Sequence, residues 1–199
     1  MNNLLSKIKK KRARDYILYS AIIAGGIFLD QLTKWLVVKF LAPLHPKSVV
    51  IIKNIVKLTY AENTGAAFGM MKDSRWIFMV TSCLLIVGLS AYLYLGFAEN
   101  KLYEISTAMI ISGGIGNMID RLCIKGVLPQ NVSVNIVRDF IDFGDIGFPA
   151  IFNGADSFVC VGAGLLVLAL IIDIVKEYRA KKSDTESIKE SDSSDEDKE

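Results

Sequence analysis

From Trp76 to Phe97 the chain runs 22 residues without one charged side chain. A helix rises about 1.5 Å per residue, so such a run matches the hydrocarbon thickness of a bilayer. A soluble domain of 199 residues would have to hide all of it. Three more apolar stretches accompany it: Tyr16 to Val38, interrupted by Asp30 and Lys34, then about Ile105 to Ile119, then Phe158 to Ile172. The last two are short and need their flanks to complete a crossing. Hydrophobic residues make up 52% of the chain, a level ordinary for a small polytopic membrane protein and high for a soluble one. The expected fold class is an all-α membrane protein of four transmembrane helices, carrying a small extracytoplasmic β-hairpin or sheet element.

The net charge is only +2, yet the charges are segregated. Lys7, Lys9, Lys10, Lys11, Arg12 and Arg14 precede the first span with no acid among them. From Ser183 onward, eight acids stand against Lys189 and Lys198. This divides the chain into a basic N-terminus (1–15), a four-helix membrane domain (16–176) and a disordered acidic tail (177–199). The basic cluster, with Lys176, Arg179, Lys181 and Lys182 after the last span, places both termini in the cytoplasm. The cluster followed by an apolar run could mimic a secretory signal. No small-x-small cleavage site precedes Asp30 and three more spans follow, so the expectation is a retained first helix.

Cysteine and histidine content narrows the chemistry. Cys83, Cys123 and Cys160 are odd in number and without CxxC spacing, which argues against a disulfide framework or a zinc site. His45 is the only histidine, which removes HExxH chemistry and any histidine-activated nucleophile. No metal and no cofactor are expected, and no nucleic-acid partner. An enzyme built from this chain would draw its acid–base groups from Asp, Glu, Lys or Tyr.

The first long connection holds two β-branched runs, Val49–Ile52 and Ile55–Tyr60, separated by Lys53-Asn54, and reads as a hairpin. It is too small to stand alone and is expected to rest on the membrane surface or the bundle. The second, Leu122 to Ala155, contains a strand-like stretch, Val132–Val137. Tracing the spans out, in, out and in sends the polar residues to one membrane face. Asp30 and Lys34 end the first span, Asn63 and Thr64 follow in the first outer loop, and Asn117, Asp120 and Arg121 end the third span. Asp139 lies in the second outer loop, and Asn153 and Asp156 open the fourth span. Asp30 and Lys34, four apart, share a helix side and would form an ion pair at membrane depth. Gly113-Gly114-Ile115-Gly116 would let a helix pack closely. Asp120 with Arg121 reads as an ion-pair or capping feature, and Asp156 reads locally as a helix N-cap. Asp139 shares its neighbourhood with Asp142 and Asp145, and pattern alone does not choose among them.

Five segments appear in a fixed order: Asp30-Gln31-Leu32-Thr33-Lys34, Glu62-Asn63-Thr64-Gly65-Ala66-Ala67-Phe68, Gly116-Asn117-Met118-Ile119-Asp120-Arg121, Val137-Arg138-Asp139-Phe140 and Phe152-Asn153-Gly154-Ala155-Asp156-Ser157. With four spans around them, they resemble the lipoprotein signal peptidases, the type II signal peptidases of bacteria. The resemblance implies an aspartic endopeptidase of the cytoplasmic membrane, multi-pass, with its active site near the outer face. Its substrate would be a prolipoprotein carrying a diacylglyceryl cysteine, cut just before that cysteine, and its other partners the membrane lipids; a monomer is expected. It implies Asp139 and Asp156 as catalytic, Asp30, Lys34, Asn63, Gly65, Asn117, Arg121 and Asn153 as binding or supporting the site, and Asp120 as structural. The sequence departs from the family pattern between Leu122 and Arg138, where Leu128-Pro129-Gln130-Asn131-Val132-Ser133 looks inserted. A rival reading is a small ion-coupled transporter with Asp30 and Lys34 as relay. It would call for internal repeats and polar residues at mid-bilayer, which this sequence lacks.

Overall fold

The computed structural model describes residues 12–64, 75–98, 100–127 and 133–196. Each apolar stretch becomes a helix: α1 (Ala13–Phe40), α2 (Arg75–Tyr94), α3 (Lys101–Cys123) and α4 (Gly154–Glu196). The flanks do extend the third run. Asn100 caps α3 by accepting from the backbone N–H groups of Leu102 and Tyr103, which starts the helix before its apolar part. The helix of α4 runs on through residues 177–196, the stretch expected to be disordered. Extending a formed helix avoids the cost of nucleating one, so polar residues can follow an apolar span into it.

Helix α3 is the central element and packs on α1, α2 and α4. Small residues make this possible. A Cβ at Gly116 would sit 2.6 Å from Asp30 Oδ2, and one at Gly162 would sit 2.8 Å from the carbonyl oxygen of Ser106. Gly113 faces the carbonyl of Ala155 with no room for a side chain. Close backbone approach is how helices associate where burial of apolar surface supplies no drive.

The exterior is apolar and the interior partly polar. Trp76, Leu84 and Val87 on α2 and Val167, Leu170 and Ile174 on α4 are exposed, whereas Asp30, Lys34, Asp120 and Asn153 are buried. Water would reverse that arrangement and lipid favours it. Among the described residues, α1 and Gly154–Lys182 of α4 are long and apolar enough to cross a membrane; Met79–Tyr94 of α2 is a shorter apolar helix. Contrary to the expectation from sequence, the polar groups do not all gather at one end. A smaller cluster lies at the opposite end of the bundle, where Lys101 Nζ is 2.6 Å from both Asp15 Oδ1 and Glu104 Oε2. It ties the first turn of α1 to the first turn of α3, beside stacked and edge-on rings of Tyr16, Tyr19 and Tyr94.

The expected hairpin forms from β1 (Ser48–Ile52) and β2 (Val56–Asn63), with Asn54 in the left-handed region that Asn tolerates in turns. It is half of a larger sheet. Two strands pair from Ser133 onward in the second connection, β4 (Ser133–Asn135) with β3 (Lys125–Val127) as a separate ribbon, and β5 (Val137–Asp142) with β2. The short β6 (Ile151–Phe152) completes an antiparallel order β1-β2-β5-β6. Strand β2 outruns its expected end at Tyr60 because β5 gives its last residues partners: Ala61 lies opposite Asp139 and Asn63 opposite Val137.

Candidate active site

Strand register sets the first half of the site. Asn63 and Asp139 are diagonal neighbours on the β2–β5 ladder, a separation that side chains of this length can span. Asn63 Nδ2 donates to Asp139 Oδ2 at 3.0 Å. On the other edge, Ile141 pairs with Phe152, so β6 delivers Asn153 beside Asp139. Asn153 Nδ2 donates to Asp139 Oδ1 at 2.7 Å. Both carboxylate oxygens of Asp139 are thus held, and the residue is 3% exposed. Burial pushes its carboxyl up to about 6, against the hydrogen bonds of Asn63 and Asn153 and with added push from the Asp156 charge.

Helix capping sets the second half. The N-cap of α4 is Asn153, not Asp156. Asn153 Oδ1 accepts from the Asp156 N–H at 3.0 Å, and Asp156 Oδ2 accepts from the Asn153 N–H at 3.1 Å. This reciprocal capping box places Asp156 three residues into the motif, with its other oxygen free to accept from Asn117 Nδ2 at 2.7 Å. The local pattern suggested an N-cap because Asp is common at both positions. One residue, Asn153, therefore fixes both acids.

Beneath the pair lies a buried charge network. Lys34 Nζ is 2.9 Å from Asp30 Oδ2 and 3.4 Å from Asp120 Oδ2, and donates to Asn117 Oδ1 at 3.1 Å. Its three protons match three acceptors. Asn117 Oδ1 also accepts from Asn153 Nδ2 at 3.0 Å. Two donors on that oxygen leave the Asn117 amide nitrogen facing Asp156, which settles the amide orientation. Asp30 Oδ1 accepts from the Ala155 N–H at 2.8 Å and so ties α1 to the start of α4.

The expected pairing of Asp120 with Arg121 is replaced. Asp120 is gripped by Arg138, through Nη2 at 2.6 Å, Nε at 3.1 Å and the backbone N–H at 3.0 Å. Adjacent residues on a helix point in different directions, whereas Arg138 reaches down from β5 onto the acid. Arg121 instead donates to the carbonyl of Asn117 at 3.3 Å, one turn back on α3. Gln31 joins the network, donating to Asp30, Asp120 and the Gly116 carbonyl and accepting from Arg138 at 2.9 Å.

The structure thus assembles Asp139, Asp156, Asn63, Asn117, Asn153, Asp30, Lys34 and Asp120, with Arg121 at the margin. Gly65 lies outside the described residues. Gln31 and Arg138 were not singled out as site residues; the signal was charge, since two buried acids beside one lysine call for a second cation. The acids that competed with Asp139 separate here. Asp145 is 2.9 Å from Lys57 Nζ on the far part of the sheet. Asp142 faces away from Asp139 on β5 and accepts from the Gly144 N–H at 2.8 Å. Although burial pushes its carboxyl up, that N–H, the Thr59 hydroxyl and Lys57 hold it below the usual carboxylate range. A buried and a half-buried carboxylate, one held by the Asn153 side chain and the other by its backbone N–H, can trade a proton with a bound water and a carbonyl.

Comparison with known proteins gives the chain a family. Residues 8–172 match the family model described as Signal peptidase (SPase) II. The chain is 44% identical over 151 residues to the lipoprotein signal peptidase of Caldanaerobacter subterraneus subsp. tengcongensis, covering 75% of this chain and 93% of the relative. It is 40% identical over 169 residues to that of Shouchella clausii, covering 84% and 99%. Its fold is shared with a bacterial membrane enzyme solved by the in meso method at 2.3 Å resolution, with a TM-score of 0.65 and 24% identity over 79% of this chain and 89% of the other. The family match takes in the first three helices, the sheet, the apolar part of α4 and both Asp139 and Asp156, and on that extent the chain belongs to the signal peptidase II family.

Proposed function

We propose that this protein is an aspartic endopeptidase that removes the signal peptide from prolipoproteins whose lipobox cysteine carries diacylglyceryl, cutting just before that cysteine. The observation that carries the reading is the carboxylate pair of buried Asp139 and half-buried Asp156, both held by Asn153. Asp156 lies in the first turn of α4, where the helix dipole and two N–H donors favour a negative charge. The general-acid role is assigned to Asp139, the more deeply buried of the two carboxylates, and the pair is reactive while it holds one proton. In this assignment Asp156 takes a proton from water as it attacks the scissile carbonyl carbon, and Asp139 gives its proton to the carbonyl oxygen. The tetrahedral intermediate then collapses with proton transfer to the leaving amine, and the pair returns to one proton. Asp30, Lys34, Asn117 and Asp120 hold the pair in place; Asn63 and Arg121, at its rim, contact the peptide.

The same reading sets α1 to α4 as four membrane crossings in the bacterial cytoplasmic membrane, both termini inside, and the sheet with the pair at the outer face. That depth suits a substrate anchored by acyl chains, which could approach between the helices. A single chain carries every group that the chemistry uses. The transporter reading finds no support in this family. The test is purified protein in detergent, given one prolipoprotein with and without its diacylglyceryl group, with products mapped by mass spectrometry. Release of a peptide ending just before the cysteine, from the lipidated form alone, is expected. Equal cleavage of both forms would remove the lipid requirement, and no cleavage of either would remove the activity.

A further inference from the structure

Arg138 precedes Asp139 on β5, so strand alternation sends its side chain to the opposite face from the acid. It turns beneath the site and forks onto Asp120, with Nη2 at 2.6 Å and Nε at 3.1 Å, while Nη2 also reaches Gln31 Oε1 at 2.9 Å. Asp30 and Asp120 are both almost wholly buried, and Lys34 lies within 3.4 Å of each. One ammonium cannot neutralise two carboxylates, and an unmatched buried charge is costly. Arg138 makes the balance two against two.

This balance matters to the neighbours above. A pair that works as base and acid must hold one negative charge and one proton. An unmatched anion beneath it would favour the doubly protonated form. We infer that Arg138 is a positioning residue for the reaction: it neutralises the buried Asp30–Asp120 pair, so that Asp139 and Asp156 can share a single negative charge at neutral pH. The inference rests on the aspartic reading above. The other charged groups around Arg138 are accounted for. From α1 come Asp30 and Lys34; from α3, Asp120 and Arg121; from α4, Asp156; from β5 itself, Asp139 and Asp142. From β2 come Tyr60 and Glu62, the latter being the cross-strand partner of Arg138. Glu62 is exposed and accepts from the Tyr60 hydroxyl at 3.0 Å, so its charge is screened by solvent. Asp142 is occupied by Gly144 and Lys57.

The experiment is the pH dependence of kcat and KM for cleavage of a diacylglyceryl prolipoprotein by detergent-purified R138Q, R138K and R138Q/D120N. Removing the guanidinium alone leaves one extra buried anion, so both limbs of the R138Q kcat profile should move to higher pH by on the order of one pH unit. R138K keeps the charge and should hold the limbs in place with a lower kcat. R138Q/D120N removes one cation and one anion and should bring the limbs back. KM should change little throughout. A profile unmoved in R138Q, or one moved equally in the double variant, overturns the inference. If R138Q does not fold, the double variant decides: a folded enzyme with the native limbs supports the charge-balance role, and an unfolded or shifted one refutes it. Failure of the aspartic reading looks different, because Asp139→Asn would then retain cleavage whatever Arg138 does.

Discussion

Asn153 makes four hydrogen bonds with its side chain and backbone that converge on the site: to Asp139, to Asn117 and, in both directions, with Asp156. Asn153→Ala should lower kcat by roughly 10² or more, because both acids lose their placement, and lower stability by about 1 kcal/mol from the lost cap; steady-state kinetics and thermal unfolding in detergent measure the two. Asp139 links site and stability through pH. Its carboxyl ionises near 6 in the folded protein against an ordinary value of 3.8. The native state therefore binds more protons than the unfolded one between those values, and this contribution to stability is present below about pH 4 and lost as pH rises through 6. The stability difference between wild type and Asp139→Asn should shift toward the variant by about 3 kcal/mol from pH 4 to pH 7; a difference that stays constant with pH would show an unshifted carboxyl. At this scale the sequence was legible in its acids and amides, taken as ordered motifs. The role of Arg138 was not legible, because its partner Asp120 is 18 residues away and reached only through the β5 pairing.

Among the elements, α3 shows how composition becomes architecture. Its glycines were readable as a packing face, and the structure puts Gly113 and Gly116 against the start of α4 and Asp30. Gly116→Val should push Asp30 off Lys34, destabilise the fold by about 1–3 kcal/mol and reduce cleavage more than Gly164→Val, where a Cβ would meet nothing within 4 Å; paired unfolding and activity measurements compare them. The sheet was half legible. Alternation and β-branched content marked β1 and β2, but β5 joins the sheet by pairing with β2 across some 80 residues, and β6 is only two residues long, so no local pattern encodes either. The β3–β4 ribbon pairs locally but its strands are three residues each, too short to stand out in sequence, and its Asn135 donates to the Arg121 carbonyl at 2.7 Å, at the edge of the site.

For the whole molecule, apolar length marked four helices, while the cluster of Asp15, Lys101 and Glu104 at the far end escaped notice because its members lie in separate segments, each unremarkable alone. The proposed topology puts the two polar clusters on opposite sides of one membrane. A single engineered cysteine at Asn54, at the β1–β2 turn, should react with an impermeant thiol reagent in intact cells, with the native cysteines replaced, and one in the acidic tail only after permeabilisation; reversed labelling would invert the topology. The central claim is that two carboxylates held by one asparagine, Asp139 and Asp156, cleave the substrate. It is tested most directly by single-turnover cleavage of a diacylglyceryl prolipoprotein by Asp139→Asn and Asp156→Asn, each confirmed as folded and membrane-inserted. The account predicts that cleavage by either variant falls by at least roughly 10³. Cleavage within a few-fold of wild type by either one would contradict it.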